Sequence, residues 1–523
     1  MRKSTLILSS LLLFLASAQT HEFLGKNENQ SPKFPSGKQT YQELNQDPGN
    51  PFVISFGTSM SQTQCTSQNT VNPDYITSRL QEVAQKQSNP NEWLKHSGRI
   101  WYVLKSLPSV TCSHCNKTTI PEKLDLINDV KTIEYIIKNV SKNKSAITLT
   151  MTKCPSCKKS KGLTKTSKNI PIFTKAHKLA MAEQCNSLNL NSQPGCRSLP
   201  AYRISLEACD VLKDGSTEID PIKLQDQANF MAGFNGNIVA FAHHYSNPQA
   251  IPNLFEESHH IPWFANYCAQ LVKTCPQITH ICPISQPTAF GYRVARNNDL
   301  PPFSCKISLE ELFANITQAQ VQASVEIKKI NPNIKVLVSH QWKPMKTAHK
   351  AGDPRQLLEK FVCKIAHKMY NGTFVRLIKP FEKHFDGIAL SIYPPIHFNL
   401  WTPQGSNCSG IIDAKSTLEA IIATSKAFPG KDIYITETGC NTPNAQTKKD
   451  FIDMTLYVCK LARDKGIPVK GIYFWGHTND PLFYSEWNSA PGTTHFAPFD
   501  RLETTNPTAS INASGIHIKD ILS

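Results

Sequence analysis

After its first twenty residues the chain has no apolar run long enough to span a bilayer, which argues against a multi-span membrane protein. It is short of acidic residues, with 40 Asp and Glu against 56 Lys and Arg, for a net charge of +16 and a pI near 9.1. It also lacks any recognised nucleic-acid-binding module, so the positive charge does not point to nucleic acid. Attraction to acidic surfaces or glycans is one reading of that charge, and plain solubility is the simpler one. Low-complexity tracts are absent too. A mixture of 40% hydrophobic and 18% charged residues excludes a disordered polymer and suits a globular fold. At 523 residues there is enough chain for one large domain or two to three ordinary ones.

What is present begins with a targeting pattern. Arg2 and Lys3 precede a short apolar stretch from Leu6 to Leu15, and Ala16-Ser17-Ala18 offers small residues for cleavage. Residues 1–18 read as a signal peptide, with an uncleaved anchor as the alternative, and the mature protein is expected to be secreted or periplasmic. Export permits disulfides among the 16 Cys. Asn-X-Ser/Thr sequons, among them those at Asn116, Asn139, Asn315 and Asn371, matter only in a host that glycosylates exported chains.

Residues 19–50 are polar with scattered Gly, Pro and Asn, and read as a flexible lead-in. Short apolar runs then alternate with amphipathic stretches. The predicted strands are Phe52–Phe56, Ala201–Leu206, Asn237–Ala242, Ile278–Ile284, Ile334–Val338, Gly387–Ile392, Ile433–Thr436 and Val469–Phe474. Unbroken apolar character suits parallel strands buried on both faces. Predicted helices include Pro221–Phe234, Glu310–Lys329, Pro354–Tyr370 and Lys448–Lys465. Eight such strands with intervening helices imply an α/β fold, a (β/α)8 TIM barrel over 51–523, with a doubly wound open sheet as the competitor. Polar or amphipathic residues gather just past the strands, where barrel enzymes keep their chemistry: Gln62, Arg203, His244, Gln286, Tyr393, Glu437 and Trp475. The first gap, residues 66–199, is too long for a bare loop and implies an inserted Cys-containing subdomain, centred on 100–170, between strands 1 and 2.

The seventh strand, Asp432-Ile-Tyr-Ile-Thr-Glu437-Thr-Gly439, delivers a carboxylate beside a glycine turn. Such a group can attack an anomeric carbon to form a glycosyl-enzyme, or can be salt-bridged at a strand end. The segment DIYITETG resembles the nucleophile motif of glycoside hydrolase family 1, and the likeness extends around the barrel. Phe56-Gly-Thr-Ser-Met-Ser-Gln62 resembles the first-strand motif, which implies that Gln62 binds sugar. Ala201-Tyr-Arg203-Ile-Ser-Leu-Glu207 resembles the second, with Arg203 under the nucleophile. VAFAHHYSNPQA resembles the third, with His244 against sugar hydroxyls and Tyr245 where the family has Trp. FDGIALSIYPP resembles the sixth, with Tyr393 bonded to the nucleophile and Ser391 in place of Asn. GIYFWGHTNDPLFYSEW resembles the eighth, with Trp475 as a sugar floor and Glu486 and Trp487 on far hydroxyls, at a longer spacing than the family's. The resemblance implies a carbohydrate or glycoside ligand, retaining chemistry through Glu437, and no catalytic cofactor. Trp suits the apolar face of a sugar, and Gln, His and Glu suit its hydroxyl rim. Arg203 is expected to lower the pKa of Glu437 and keep it ionised.

The fourth strand departs from this pattern. Ile281-Cys-Pro-Ile-Ser285-Gln286-Pro287 resembles the family's acid/base segment, but Ser285-Gln286 stands where the family has Asn-Glu. A carboxyl there protonates the leaving oxygen and then deprotonates water; an amide does neither. Ser285 is also shorter than Asn for reaching the sugar 2-hydroxyl. Within the family, plant myrosinases also carry Gln and cleave thioglucosides whose leaving group needs little protonation. Two readings follow: activity on activated glycosides, with a base borrowed from a small molecule or from His259, His260, Glu256 or His340, or a glycan-binding barrel without turnover. A third is an adhesion scaffold whose basic insert does the work.

Within the insert, Cys112-Ser-His-Cys115 and Cys154-Pro-Ser-Cys157 suit a structural tetrahedral zinc, or disulfides. Cys185 with Cys196, and Cys268 with Cys275, invite pairing by spacing. The lysines from Lys153 to Lys168 read as a solvated loop or an acidic-partner patch.

Overall fold

The computed structural model describes residues 34–59, 175–188, 190, 196, 198–297 (save 214, 215, 246, 249 and 252), 305–349, 351–398 (save 394), 413–476 (save 441 and 443) and 511–523, together with short strand pieces and one turn residue between 110 and 169 and a strand at 406–408. The predicted signal segment lies outside these residues.

Eight parallel strands close into a barrel: β1 (Val53–Ser59), β2 (Pro200–Ser205), β3 (Asn237–Phe241), β4 (Ile278–Cys282), β5 (Lys335–Trp342), β6 (Gly387–Ile392), β7 (Asp432–Thr438) and β8 (Val469–Trp475). Each strand pairs with its chain neighbours, and β8 pairs with β1, so the sheet is closed and the doubly wound alternative falls away. The helices among the described residues are α1 (Gly37–Leu44), α2 (Lys175–Asn186), α3 (Pro221–Ala232), α4 (Ile261–Thr274), α5 (Pro287–Tyr292), α6 (Leu309–Ile330), α7 (Arg355–Ile378), α8 (Ala414–Ala427), α9 (Ala445–Asp464) and α10 (Ala513–Leu522). None is long and apolar enough to cross a membrane.

Local chemistry sets the helix starts. Asp220 accepts from Ile222 N ahead of Pro221, and Ser308, Asp413 and Asn444 cap α6, α8 and α9 in the same way. Glu310 and Glu311 open α6 and Lys328 and Lys329 close it, each matching the helix dipole.

Strand alternation divides the core into two. Val53, Val239, Phe241, Cys282, Leu337, Ala389, Tyr434 and Tyr473 fill the barrel, and the opposite parity faces the helices. His280 also lies within the barrel wall, with Nε2 3.0 Å from the Tyr434 hydroxyl, and burial pushes its pKa down to about 3.

The reading of 19–50 as a flexible lead-in needs correcting over its second half. Residues 37–44 form α1, with Ser36 capping Gln39 N and Tyr41 fully buried. The helix packs on α9 and α10, and Arg463 of α9 donates to Leu44 O at 2.8 Å. Tertiary packing, not propensity, orders this polar stretch. The cysteine pairings suggested by spacing do not form. Cys268 and Cys275 are buried thiols, and the Cys196 thiol donates to Phe52 O at 3.0 Å.

Short antiparallel strands at Val110–Cys112, Thr118–Thr119 and Leu163–Thr164, and at Ala146–Thr148 and Ser167–Asn169, occupy the long gap between β1 and β2. Cys112 ends the first of these and Cys115 is a half-buried turn residue, but Cys154 and Cys157 lie outside the described residues.

Candidate active site

Glu437 sits on β7 next to a break in the strand register. Leu390 of β6 pairs with Ile435, and Ser391 pairs with Glu437, so Thr436 is an extra residue. Tyr434 points into the barrel, and strict alternation would send Thr436 inward and Glu437 toward the helices. The bulge resets that parity and turns Glu437 into the barrel mouth.

There its carboxylate is surrounded. Arg203 Nη2 donates to Oε1 at 2.5 Å, both side chains being essentially inaccessible to solvent. Tyr393 donates to Oε2 at 3.2 Å, and Gln286 Nε2 donates to the same oxygen at 2.6 Å. His244 Nε2 stands 3.9 Å from Oε1. Residues from β2 and from the loops after β3, β4 and β6 thus converge on one carboxylate.

Arg203 is itself held in place. Its Nη1 donates to Ser205 Oγ at 2.6 Å, and Ser205 Oγ lies 2.8 Å from His244 Nδ1. Its guanidinium lies over the rings of Phe241 and Trp475, at 4.1 and 4.8 Å from their centroids. Glu207 fixes the loop that carries His244 by accepting its backbone N–H at 3.0 Å. Ser205, Glu207 and Phe241 were not singled out in the sequence. A signal existed for Ser205, which is two residues from Arg203 on a strand and so shares its face.

Burial pushes the Glu437 carboxyl above its ordinary range, and the Arg203 guanidinium is the largest influence pulling it back. Arg203 lowers this carboxyl as expected, but removing the group from water outweighs the ion pair, so the net shift is upward and away from the ionised form.

Gln286 and Tyr245 form the second half of the site. Tyr245 donates to Gln286 Oε1 at 2.6 Å while the Gln286 amide N–H₂ reaches Glu437. These two are the non-glycine residues with positive φ among the described residues, at 77° for Tyr245 and 45° for Gln286. Each such conformation costs about 1–3 kcal/mol and persists only where its surroundings impose it. Gln286 N donates to Ser339 Oγ at 3.1 Å, Pro287 follows it at the start of α5, and Phe290 stacks parallel to the Tyr245 ring at 6.0 Å. Ser285 is fully buried.

The proposed borrowed bases fare differently. His340 is not at a strand end, because β5 runs on to Trp342. It faces the helices, stacked on Phe374 at 4.2 Å with Nε2 3.0 Å from Asn371 Oδ1, and burial lowers its pKa to about 3. It is a packed core histidine. His259 and His260 pair with Glu257 on the surface, and Glu256 is buried with its carbonyl facing Asn315. Gln62, Glu486 and Trp487 lie outside the described residues.

No protein-family profile and no curated protein matches the chain. Solved structures do. A beta-glycosidase from Pyrococcus horikoshii superposes with a TM-score of 0.53 at 15% identity, over 66% of this chain and 84% of that one. A family 1 β-glucosidase from Thermotoga maritima gives 0.53 at 13% identity, over 66% and 85%. An enzyme from Alicyclobacillus herbarius gives 0.53 at 13%, over 66% and 86%. At such identities the likeness is one of fold: this chain has the barrel of the β-glycosidases.

Proposed function

We propose that this barrel is an exported, retaining β-glycosidase-type site that has a nucleophile and lacks an acid/base, so that it acts only on glycosides whose leaving group departs unaided. The observation that carries the reading is the environment of Glu437: a buried carboxylate held by Arg203 on one oxygen and by Tyr393 on the other, with an amide, Gln286, in place of a second carboxyl.

The chemistry follows from those contacts. Glu437 Oε2 attacks the anomeric carbon as the aglycone leaves with the bonding pair, giving a glycosyl ester with inverted configuration. Arg203 holds Oε1 and Tyr393 orients Oε2 for that attack. Gln286 cannot supply the proton that a poor leaving group needs, nor accept one from water in the second step. The glycosyl-enzyme should therefore form with activated substrates and persist. Trp475, which already covers Arg203, offers an apolar ring to the sugar, and His244 offers a hydroxyl partner.

A second reading, sugar binding without turnover, is favoured by the closure of Gln286 onto Glu437. Retaining sites keep their two carboxyl groups about 5–5.5 Å apart, leaving room for the anomeric centre. Here the amide lies 2.6 Å from Oε2 and must swing aside before any sugar arrives.

Kinetics separate the two. Under the first reading a dinitrophenyl β-glycoside releases phenolate in a burst, azide accelerates turnover by forming the glycosyl azide, and an alkyl glycoside barely reacts. Saturable sugar binding with no burst on any activated glycoside supports the second.

A further inference from the structure

The loop that follows β3 carries, beyond His244 and Tyr245, a cluster that the glycosidase reading does not use. Glu257, His259 and His260 bring one carboxylate oxygen and two imidazole nitrogens within 4.8 Å of one another. Glu257 Oε2 lies 3.4 Å from His259 Nε2 and 3.6 Å from His260 Nε2. A tetrahedral ion with bonds of 2.0–2.1 Å to N and O requires ligand–ligand edges of about 3.3–3.4 Å. The two carboxylate–imidazole edges are therefore already near the length that a bound ion would set.

The segment is built to hold that arrangement. Glu256 N and Glu257 N donate back to Asn253 O at 2.9 and 3.4 Å, and His260 N donates to Glu257 O at 3.0 Å, closing a 3-10 turn over Ser258–His260 directly before α4. Asn253 Nδ2 donates to Glu257 Oε1, which leaves Oε2 turned to the histidines and supplies the outer hydrogen bond that metal-bound carboxylates usually carry. The two imidazole rings lie 3.9 Å apart, centroid to centroid.

We propose that Glu257, His259 and His260 form a surface site for a divalent borderline metal ion, zinc above all. Two imidazoles and a carboxylate are a donor set that zinc accepts, and three protein ligands leave its fourth position open to water or to an outside group. It shares no ligand with the insert cysteines and no residue with the contacts of Glu437.

Cobalt(II) is a suitable probe, because nitrogen–oxygen sites give ligand-field bands without the sulfur charge-transfer absorbance of cysteine sites. Full-length protein is titrated with Co²⁺ and then with competing Zn²⁺, beside His259→Ala/His260→Ala and Glu257→Gln. The proposal requires one equivalent of Co²⁺ with ligand-field bands and no sulfur signal, displaced by Zn²⁺ and lost in the double variant. It also requires affinity weakened about tenfold or more in Glu257→Gln, at least the loss typical of a supporting residue. Circular dichroism matching wild type shows that the substitutions leave the fold intact. Bands that persist in the double variant, sulfur-only signals, or no binding at millimolar Co²⁺ would overturn it.

Discussion

Gln286 and Glu437 touch: the amide of one donates to the carboxylate of the other at 2.6 Å across the mouth of the barrel. That contact joins the two residues on which the proposed chemistry turns, the amide at the proposed acid/base position and the carboxylate proposed for attack. With Arg203 and Tyr393 it gives the Glu437 carboxyl three donors, and under the proposed reading it marks where an acid/base carboxyl would stand.

Gln286→Glu tests that position. Supplying a carboxyl there should raise kcat/KM for alkyl β-glycosides by about 10²–10⁴-fold, the usual worth of general acid–base help. Steady-state assays of wild type and variant check it. An unchanged rate in a folded variant would mean that Gln286 does not occupy the acid/base station.

Tyr245→Phe should loosen the amide. The phenol donates to Gln286 Oε1, and losing a net hydrogen bond of about 1 kcal/mol would free the side chain to leave Glu437. Affinity for a monosaccharide-like inhibitor at the barrel mouth should rise about fivefold by calorimetry. Equal or weaker binding would show that the contact does not oppose sugar entry.

Arg203→Met should be costly to the fold. It strands a buried carboxylate among Gln286, Tyr393 and His244, and breaking a buried pair from one side costs about 3–5 kcal/mol. Urea unfolding measures the loss. A change within about 0.5 kcal/mol, the usual range for an uninvolved surface site, would contradict the geometry.

Stability should also depend on pH through Glu437. Its folded carboxyl holds a proton at higher pH than the unfolded one, which titrates near about 4.3. Between those two values the unfolded chain gives up its proton first, so the contribution is complete below the window and declines as pH rises through it. Glu437→Gln should remove that slope. Parallel urea melts across the acid range check it, and equal slopes in the two proteins would refute the assignment.

The barrel was legible in the sequence because strands buried on both faces appear as apolar runs. Gly387–Ile392 was read to the residue. β5 was cut short at Val338, since Ser339-His340-Gln341 looks like a loop, yet alternation sends Ser339 inward to Gln286 N and His340 outward to Phe374. The bulge at Thr436 is a property of register between strands, which no single segment displays. The left-handed backbone at Tyr245 and Gln286 was equally hidden, because neither position carries the glycine that usually marks it. Arg203, Gln286, Tyr393, Glu437, His244 and Trp475 were named from the sequence, and the fold brings them together. The burial that raises the Glu437 carboxyl emerges only once that packing exists.

Treatment with a 2-fluoro-β-glycosyl dinitrophenolate, followed by intact mass and peptide mapping, reaches the account most directly. It needs no proton donor and stalls at the ester. The account predicts one added glycosyl unit per chain, on Glu437 alone, and none in Glu437→Gln. A protein that binds the sugar but gains no mass, or that carries the label on another residue, would contradict it.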